Sequence, residues 1–597
     1  MIVLALIAPC GANATEVGSI RFEGRRAASA AALRAQIFTE SRPWWKPWQP
    51  RPELPDEAAE ADARRLVLFY RSLGYFDARV TTEVRPVHEG ERADVIFHIE
   101  EGRPVLLTQR DLVVPDAIIG TLPADRFEKD LALVTGEVFS LERYEASKKE
   151  VLARLAEEAR PLAQVEGGAD VWVPEHEAAL TWRVEPGPRV RFGSVSLLGL
   201  DRIDEELARR ELTLHEGDPY SLSALRETRA NLQSLRVFRS VIASPRPEDA
   251  ETTPDGEVVW PIDVTVSELP PHSLRLGLGY ATDEGPRVQA GYVHRNFLGA
   301  ARLLDTTLRY SSLERTFRAT LAQPNWLVRR QSLQFETTLG QLTTPAYDAE
   351  QLRIGALVSR SFEGPWSARA GYEASISRIS KARSSAERLF DDPDRDVLLS
   401  GLRLGATRST VTDALDPRDG SRLDLSAAPF LSVLGSDEDF IAASIEGRTY
   451  RPIGPVVVAA RLKLATIEPF GSTGAGDVPL TERLYLGGST TVRGFQYWRL
   501  GPRDADGDPV GGTSSILASL ELRFPIRGPL EGVVFTDTGQ VSLDPHDFVP
   551  TDLSWSVGIG ARLRTPLGPV RLDLAWPLNP PDGARTTFFH FSIGQAF

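Results

Sequence analysis

The sequence predicts α+β repeats followed by a transmembrane antiparallel β-barrel of about 16 strands. Three observations carry this: a repeated helix-and-strand grammar up to about Pro270, period-two alternation from Ser273 onward, and an aromatic C-terminal stretch. At 597 residues the chain is too long for one compact domain. Its apolar runs fall short of the ~18 residues a transmembrane helix needs, so strands must make any membrane crossing.

The opening, MIVLALIAPCGANATE, is apolar and reaches Ala12-Asn13-Ala14, the pattern of a signal peptide over residues 1–14, although the usual basic start is missing. Cys10 lies inside this segment, and the preceding Pro9 suits a lipid anchor poorly. Removal of the segment leaves a chain without cysteine, which excludes a disulfide framework or a CxxC zinc site and suits an oxidising compartment.

Three stretches then carry helical periodicity: EAAEADARRLVLFYRSLG from Glu57, SLERYEASKKEVLARLAEEAR from Ser140, and SLSALRETRANLQSLRVFRS from Ser221. Ser140 is a good N-cap. Each helix precedes two β-like runs that end in a similar phrase: HIEEGRPV from His98, RVEPGPRV from Arg183 and VSELPP from Val266. A spacing of roughly 85 residues marks an internal repeat. The opening strands VGSIRFEG at Val17 and FGSVSLLGL at Phe192 echo one another. Three β-α-α-β-β modules result, at 15–104, 105–188 and 189–270.

From residue 271 to 597 the period is two. SLRLGLGYAT places Leu274, Leu276, Leu278 and Tyr280 on one face, and Arg275, Gly277 and Gly279 on the other. DLSWSVGIGARL, VRLDLAWPL and TTFFHFSIGQAF repeat the pattern. A soluble β-sandwich also alternates, but its dry interior would not accept Arg571 and Asp573 on one face of one strand. A barrel with lipid outside and a polar lumen accepts both.

The formal net charge of −14 and the scattered arginines argue against a nucleic-acid partner. No GxSxG, HExxH or Walker sequence occurs, so no enzyme activity or cofactor is expected. Asp504, Asp506 and Asp508 hint at a calcium loop but lack the later glutamate of an EF-hand, and they read as a solvated loop with no metal. The G-x-G pairs Gly277/Gly279 and Gly558/Gly560 lie inside strands and read as thin inner-wall positions.

One stretch needs a special environment: GGSTTVRGFQYWRLGP from Gly487, with Arg493 between Val492 and Gly494-Phe495. With the three modules and the terminal Phe597, Val492-Arg493-Gly494-Phe495 resembles the BamA/TamA superfamily of outer-membrane assembly proteins. The modules resemble its POTRA domains, and a count of three points to the TamA branch. The resemblance implies that this loop folds back into the barrel and that Arg493 meets acidic groups of the inner wall. Glu521, in SILASLELRFPI, and Asp537, in VVFTDTG, are the candidate partners, singly or together. Arginine's planar fork suits two carboxylates at once. The loop is a lock or a moving part.

It further implies a seam between first strand Ser273–Thr282 and last strand Thr586–Phe597. Gly277, Gly279 and Gly594 weaken it, and Phe597 faces outward. Unfolded outer-membrane protein clients, such as autotransporters, are expected to add strands at that edge within outer-membrane lipid. A TamB-like partner anchored in the inner membrane is expected at the first module, in the periplasm. The alternatives are a two-partner-type secretion pore exporting a dedicated protein, and a short BamA.

Overall fold

The computed structural model describes residues 16–42, 50–55, 57–87, 92–115, 125–380, 396–549, 552–565, 570–580 and 586–593. The signal-peptide segment with Cys10, together with Gly594 and Phe597, lies outside the described residues.

The first repeat contains β1 (Glu16–Glu23), α1 (Ala30–Arg34), α2 (Ala58–Ser72), β2 (Arg79–Val87) and β3 (Arg92–Glu100). Its sheet order is β1-β3-β2, with β1 parallel and β2 antiparallel to the central strand. Val17, Leu33, Leu66, Val95 and Phe97 form the core beneath the helices.

The second holds β4 (Leu106–Val113), α3 (Asp125–Glu128), α4 (Leu141–Glu157), β5 (Gln164–Trp172) and β6 (Glu177–Glu185), in order β4-β6-β5. Ser140 caps α4 by accepting the Arg143 N–H at 3.3 Å. The third has β7 (Val190–Leu198), α5 (Glu205–Arg209), α6 (Leu222–Ser234), β8 (Phe238–Pro245), β9 (Glu251–Thr252) and β10 (Val258–Glu268). Its order, β7-β10-β8, repeats the plan, with β9 paired to β10.

The repeated phrases have a physical reason. Gly24 and Gly199 end the first strand of their repeats at φ +82° and +88°, and a Cβ on either would sit 2.2 Å from the carbonyl oxygen of Ile99 or Val266. Only glycine combines that backbone with that approach. The chain then turns so that its amides face the end of the central strand. Glu101 accepts the N–H groups of Arg26 and Ala27, and Glu268 accepts those of Asp201, Arg202 and Ile203.

Sixteen antiparallel strands, from β11 (His272–Ala281) to β26 (Phe588–Ile593), form the second half in simple sequence order. The alternation reads directly onto the two faces. Leu274, Leu276, Leu278 and Tyr280 are exposed along the outside, Leu278 at 83%. On the opposite face, Glu521, Asp537, Arg562, Arg571 and Asp573 are at most 1% exposed.

β11 and β26 are the two ends of the sheet, and the barrel is nearly closed. The Phe591 N–H donates to Thr282 Oγ1 at 2.8 Å, and the Thr282 N–H reaches the Phe591 carbonyl at 3.4 Å. Among the described residues no hydrogen-bonded ladder joins the two strands.

In the first repeat Asp62 is fully buried on α2 and accepts four hydrogen bonds: from the Phe38 and Thr39 N–H groups, the Thr39 hydroxyl and Arg65. Burial opposes its ionisation, and these donors outweigh it, so the carboxyl lies below its ordinary value of 3.8. A carboxyl depressed in the folded state stabilises fully above that value and loses its contribution as pH falls through the folded pKa. Asp62→Asn should cost about 1.5–3 kcal/mol. Hydrogen exchange at the Phe38 and Thr39 amides of the full chain should accelerate in this variant, and in the unaltered protein only in acid.

Candidate functional site

The segment between β21 (Val456–Pro469) and β22 (Ser514–Arg527) carries Arg493, which is 1% exposed and surrounded by the inner wall. An arginine so buried requires anions with matched geometry. β22, β23 (Leu530–Ser542) and β25 (Val570–Pro577) supply them, each from its inward face.

Asp537 takes most of the load. Its Oδ2 accepts the Arg493 backbone N–H at 3.1 Å and Nε at 2.7 Å, and its Oδ1 accepts Nη2 at 2.9 Å. Nη1 donates to Glu521 Oε1 at 2.7 Å and lies 3.5 Å from Asp573 Oδ2. The guanidinium carbon stands 3.4 Å from the centre of the Phe535 ring, on its π face. Both sequence candidates therefore meet Arg493 together.

The cluster is larger than the sequence suggested. Arg523 Nε donates to Glu521 Oε2 at 2.9 Å. Arg562, on β24 (Ser554–Leu563), bonds Asp573 and lies 3.7 Å from Glu521. Arg571 Nη2 donates to Asp573 Oδ2 at 3.3 Å. Four guanidiniums thus enclose three carboxylates, each at most 3% exposed.

The sequence placed Arg562, Arg571 and Asp573 on the polar face without assigning them to the site. The missing information was strand adjacency: the register opposes Gly560 to Asp573 and Ser519 to Asp537, which stacks these side chains across the wall.

The residues around Arg493 seat the loop. Val492 is fully buried and Phe495 nearly so, in a cluster with Leu486, Leu500, Leu517 and Val541. Gly494 has φ +95°, and a Cβ there would lie 2.9 Å from Ser556 Cβ and 3.3 Å from Pro577 N. Trp498 stacks between Tyr485 at 4.3 Å and Tyr497 at 5.2 Å. The Asp504 carboxylate closes its own turn, accepting the Asp506 and Asp508 N–H groups.

Of the seam residues, Gly277 and Gly279 lie on the inward face of β11. A Cβ at Gly277 would find only Gln289 Cβ at 3.8 Å, so the wall is thin there, whereas one at Gly279 would meet the Arg287 guanidinium at 3.2 Å.

An apolar outer band, a polar lumen and α+β repeats ahead of the first strand define a transmembrane barrel with a periplasmic arm. The Omp85 superfamily domain matches residues 296–597, and the POTRA model, described as a surface antigen variable number repeat, matches 15–102 and 190–268. The chain belongs to the Omp85 superfamily. It is an outer-membrane protein whose N-terminal repeats lie in the periplasm.

Among its relatives is the outer membrane protein assembly factor BamA of Nitratidesulfovibrio vulgaris, 23% identical over 98% of this chain and 74% of that protein. BamA of Neisseria meningitidis is 22% identical over 98% and 78%. The structure of Haemophilus ducreyi BamA lacking POTRA domains 1–3 shares the fold, with a TM-score of 0.62 and 18% identity, covering 82% of this chain and 99% of that one.

Arg493→Ala leaves three carboxylates short of their central cation. It should destabilise the barrel by about 3–5 kcal/mol. Arg493→Lys keeps the charge, loses the fork and should recover only part of this. Thermal unfolding of the purified barrel, read by its heat-modified gel mobility, checks both.

Proposed function

We propose that the chain is a TamA-like outer-membrane assembly factor that inserts or translocates β-barrel clients such as autotransporters. The observation that carries the reading is the seam. Fifteen of the sixteen strand junctions are laddered, whereas among the described residues the junction of β11 and β26 is hydrogen-bonded only between Thr282 and Phe591. An edge strand with unpaired N–H and C=O groups is a template for an incoming strand. Clients add to that edge and leave into the bilayer. The glycine-thinned face of β11 lowers the cost of parting, with Gly594 and Phe597 proposed to act on the β26 side.

Val492-Arg493-Gly494-Phe495, with Glu521 and Asp537, is the lock that keeps the loop in the lumen while the seam works. Three periplasmic modules, the middle one read from its sheet order, receive unfolded clients. The first of them docks a TamB-like partner anchored in the inner membrane. A second reading, a short BamA, is favoured by the relatives that cover 98% of the chain and carry that name.

Deletion of the gene, followed by quantitative proteomics of outer membrane and medium, tests this. Loss of a subset of barrels and autotransporters is expected. Collapse of all barrel proteins would make the chain the BamA of its cell, and one missing exoprotein would make it a two-partner-type pore. A returned copy carrying Thr282→Cys and Phe591→Cys should restore the subset only under reducing conditions. Restoration with the seam oxidised would remove the seam from the mechanism.

A further inference from the structure

Ser489 lies four residues before Arg493 and is 4% exposed. Its backbone is held from two directions. The N–H donates to Asp283 Oδ2 at 2.6 Å, and the carbonyl accepts Arg571 Nη2 at 3.0 Å. Asp283 lies two residues beyond β11, in the hairpin that leads to β12 (Gly285–Arg295). Arg571 is on β25, the neighbour of β26. One residue of the loop therefore grips the wall on both sides of the seam.

The rest of the local geometry fits this grip. Gly488 has φ +103°, and a Cβ there would lie 3.0 Å from Asp283 Oδ2 and 3.1 Å from the Tyr497 ring. The approach that lets Asp283 take the next N–H thus requires glycine. Beneath it, His590 of β26 is 3% exposed, with Nδ1 3.9 Å from the other oxygen, Asp283 Oδ1. The Arg571 guanidinium also donates to Asp573, a member of the Arg493 cluster.

We propose that Asp283 and Arg571 hold the loop backbone at Ser489 as a clasp across the inside of the seam, so that β11 and β26 part only when the loop lets go. Asp283 and Arg571 are positioning residues: they touch the loop and control the edge that a client would use. The clasp depends on the seam reading above but makes a separate statement about resting geometry, so its test needs no client.

The experiment places spin labels on the outer face at Tyr280→Cys and Phe589→Cys, in full chain carrying Cys10→Ser in lipid nanodiscs. Pulsed dipolar spectroscopy then measures the distance between β11 and β26. The otherwise unaltered chain should give one narrow distance. Asp283→Ala and Asp283→Leu, neither of which can accept the Ser489 N–H, should each add a population longer by at least one strand spacing, about 5 Å. Glu284→Gln, in the same hairpin but paired with Arg287 and Arg309, should leave the distribution narrow. Unchanged distances in both folded Asp283 variants would overturn the clasp. Equal broadening in Glu284→Gln would also overturn it, by showing general loosening of the hairpin.

Discussion

The ion cluster centred on Arg493 is the constraint on which the barrel's inner organisation rests. Glu521, Asp537 and Asp573 project from β22, β23 and β25 into a space that excludes most water. Carboxylates crowded there would repel one another and lose hydration. Arg523, Arg562 and Arg571 of the wall pair Glu521 and Asp573, and the guanidinium from the long loop adds the ion pair with Asp537 and bridges it to Glu521. The loop is thus held in the lumen both by its ion pairs with the wall and by the apolar seating of Val492 and Phe495.

This arrangement distributes rigidity unevenly. From β22 to β25 the wall is tied by ladder hydrogen bonds and by charges that cross between strands. The cluster stops at β25. Beyond it, β26 pairs with β25 over six positions, whereas among the described residues its hydrogen bonds across the seam run only between Phe591 and Thr282, beside the ring contact of Phe591 with Tyr280. A stiff wall therefore stands beside a lightly held edge. The loop serves both sides, anchored in the stiff wall at Arg493 and reaching the edge at Ser489.

Much of this was legible in the sequence because the period of two fixes which face each side chain takes. Leu274 to Tyr280 lie outside, and Glu521 and Asp537 inside, as that pattern requires. The repeat phrases were legible as similarity, and their cause emerged only in three dimensions, where Glu101 and Glu268 accept the amides that follow Gly24 and Gly199. Side-chain partners across non-adjacent segments were not legible. Arg562 and Asp573 showed their face in the sequence but not their neighbours, and nothing local linked Asp283 to Ser489, 206 positions away.

A double-mutant cycle between Arg493→Met and Asp537→Leu tests the central claim most directly, with unfolding free energy of the purified barrel as the readout. Each single change strands a buried charge, and the double change removes the pair, so the double variant should be more stable than additivity predicts. The coupling should exceed about 2 kcal/mol. Additivity within about 0.5 kcal/mol would contradict the account, because the loop would then be held by its apolar contacts and the charges would be passengers.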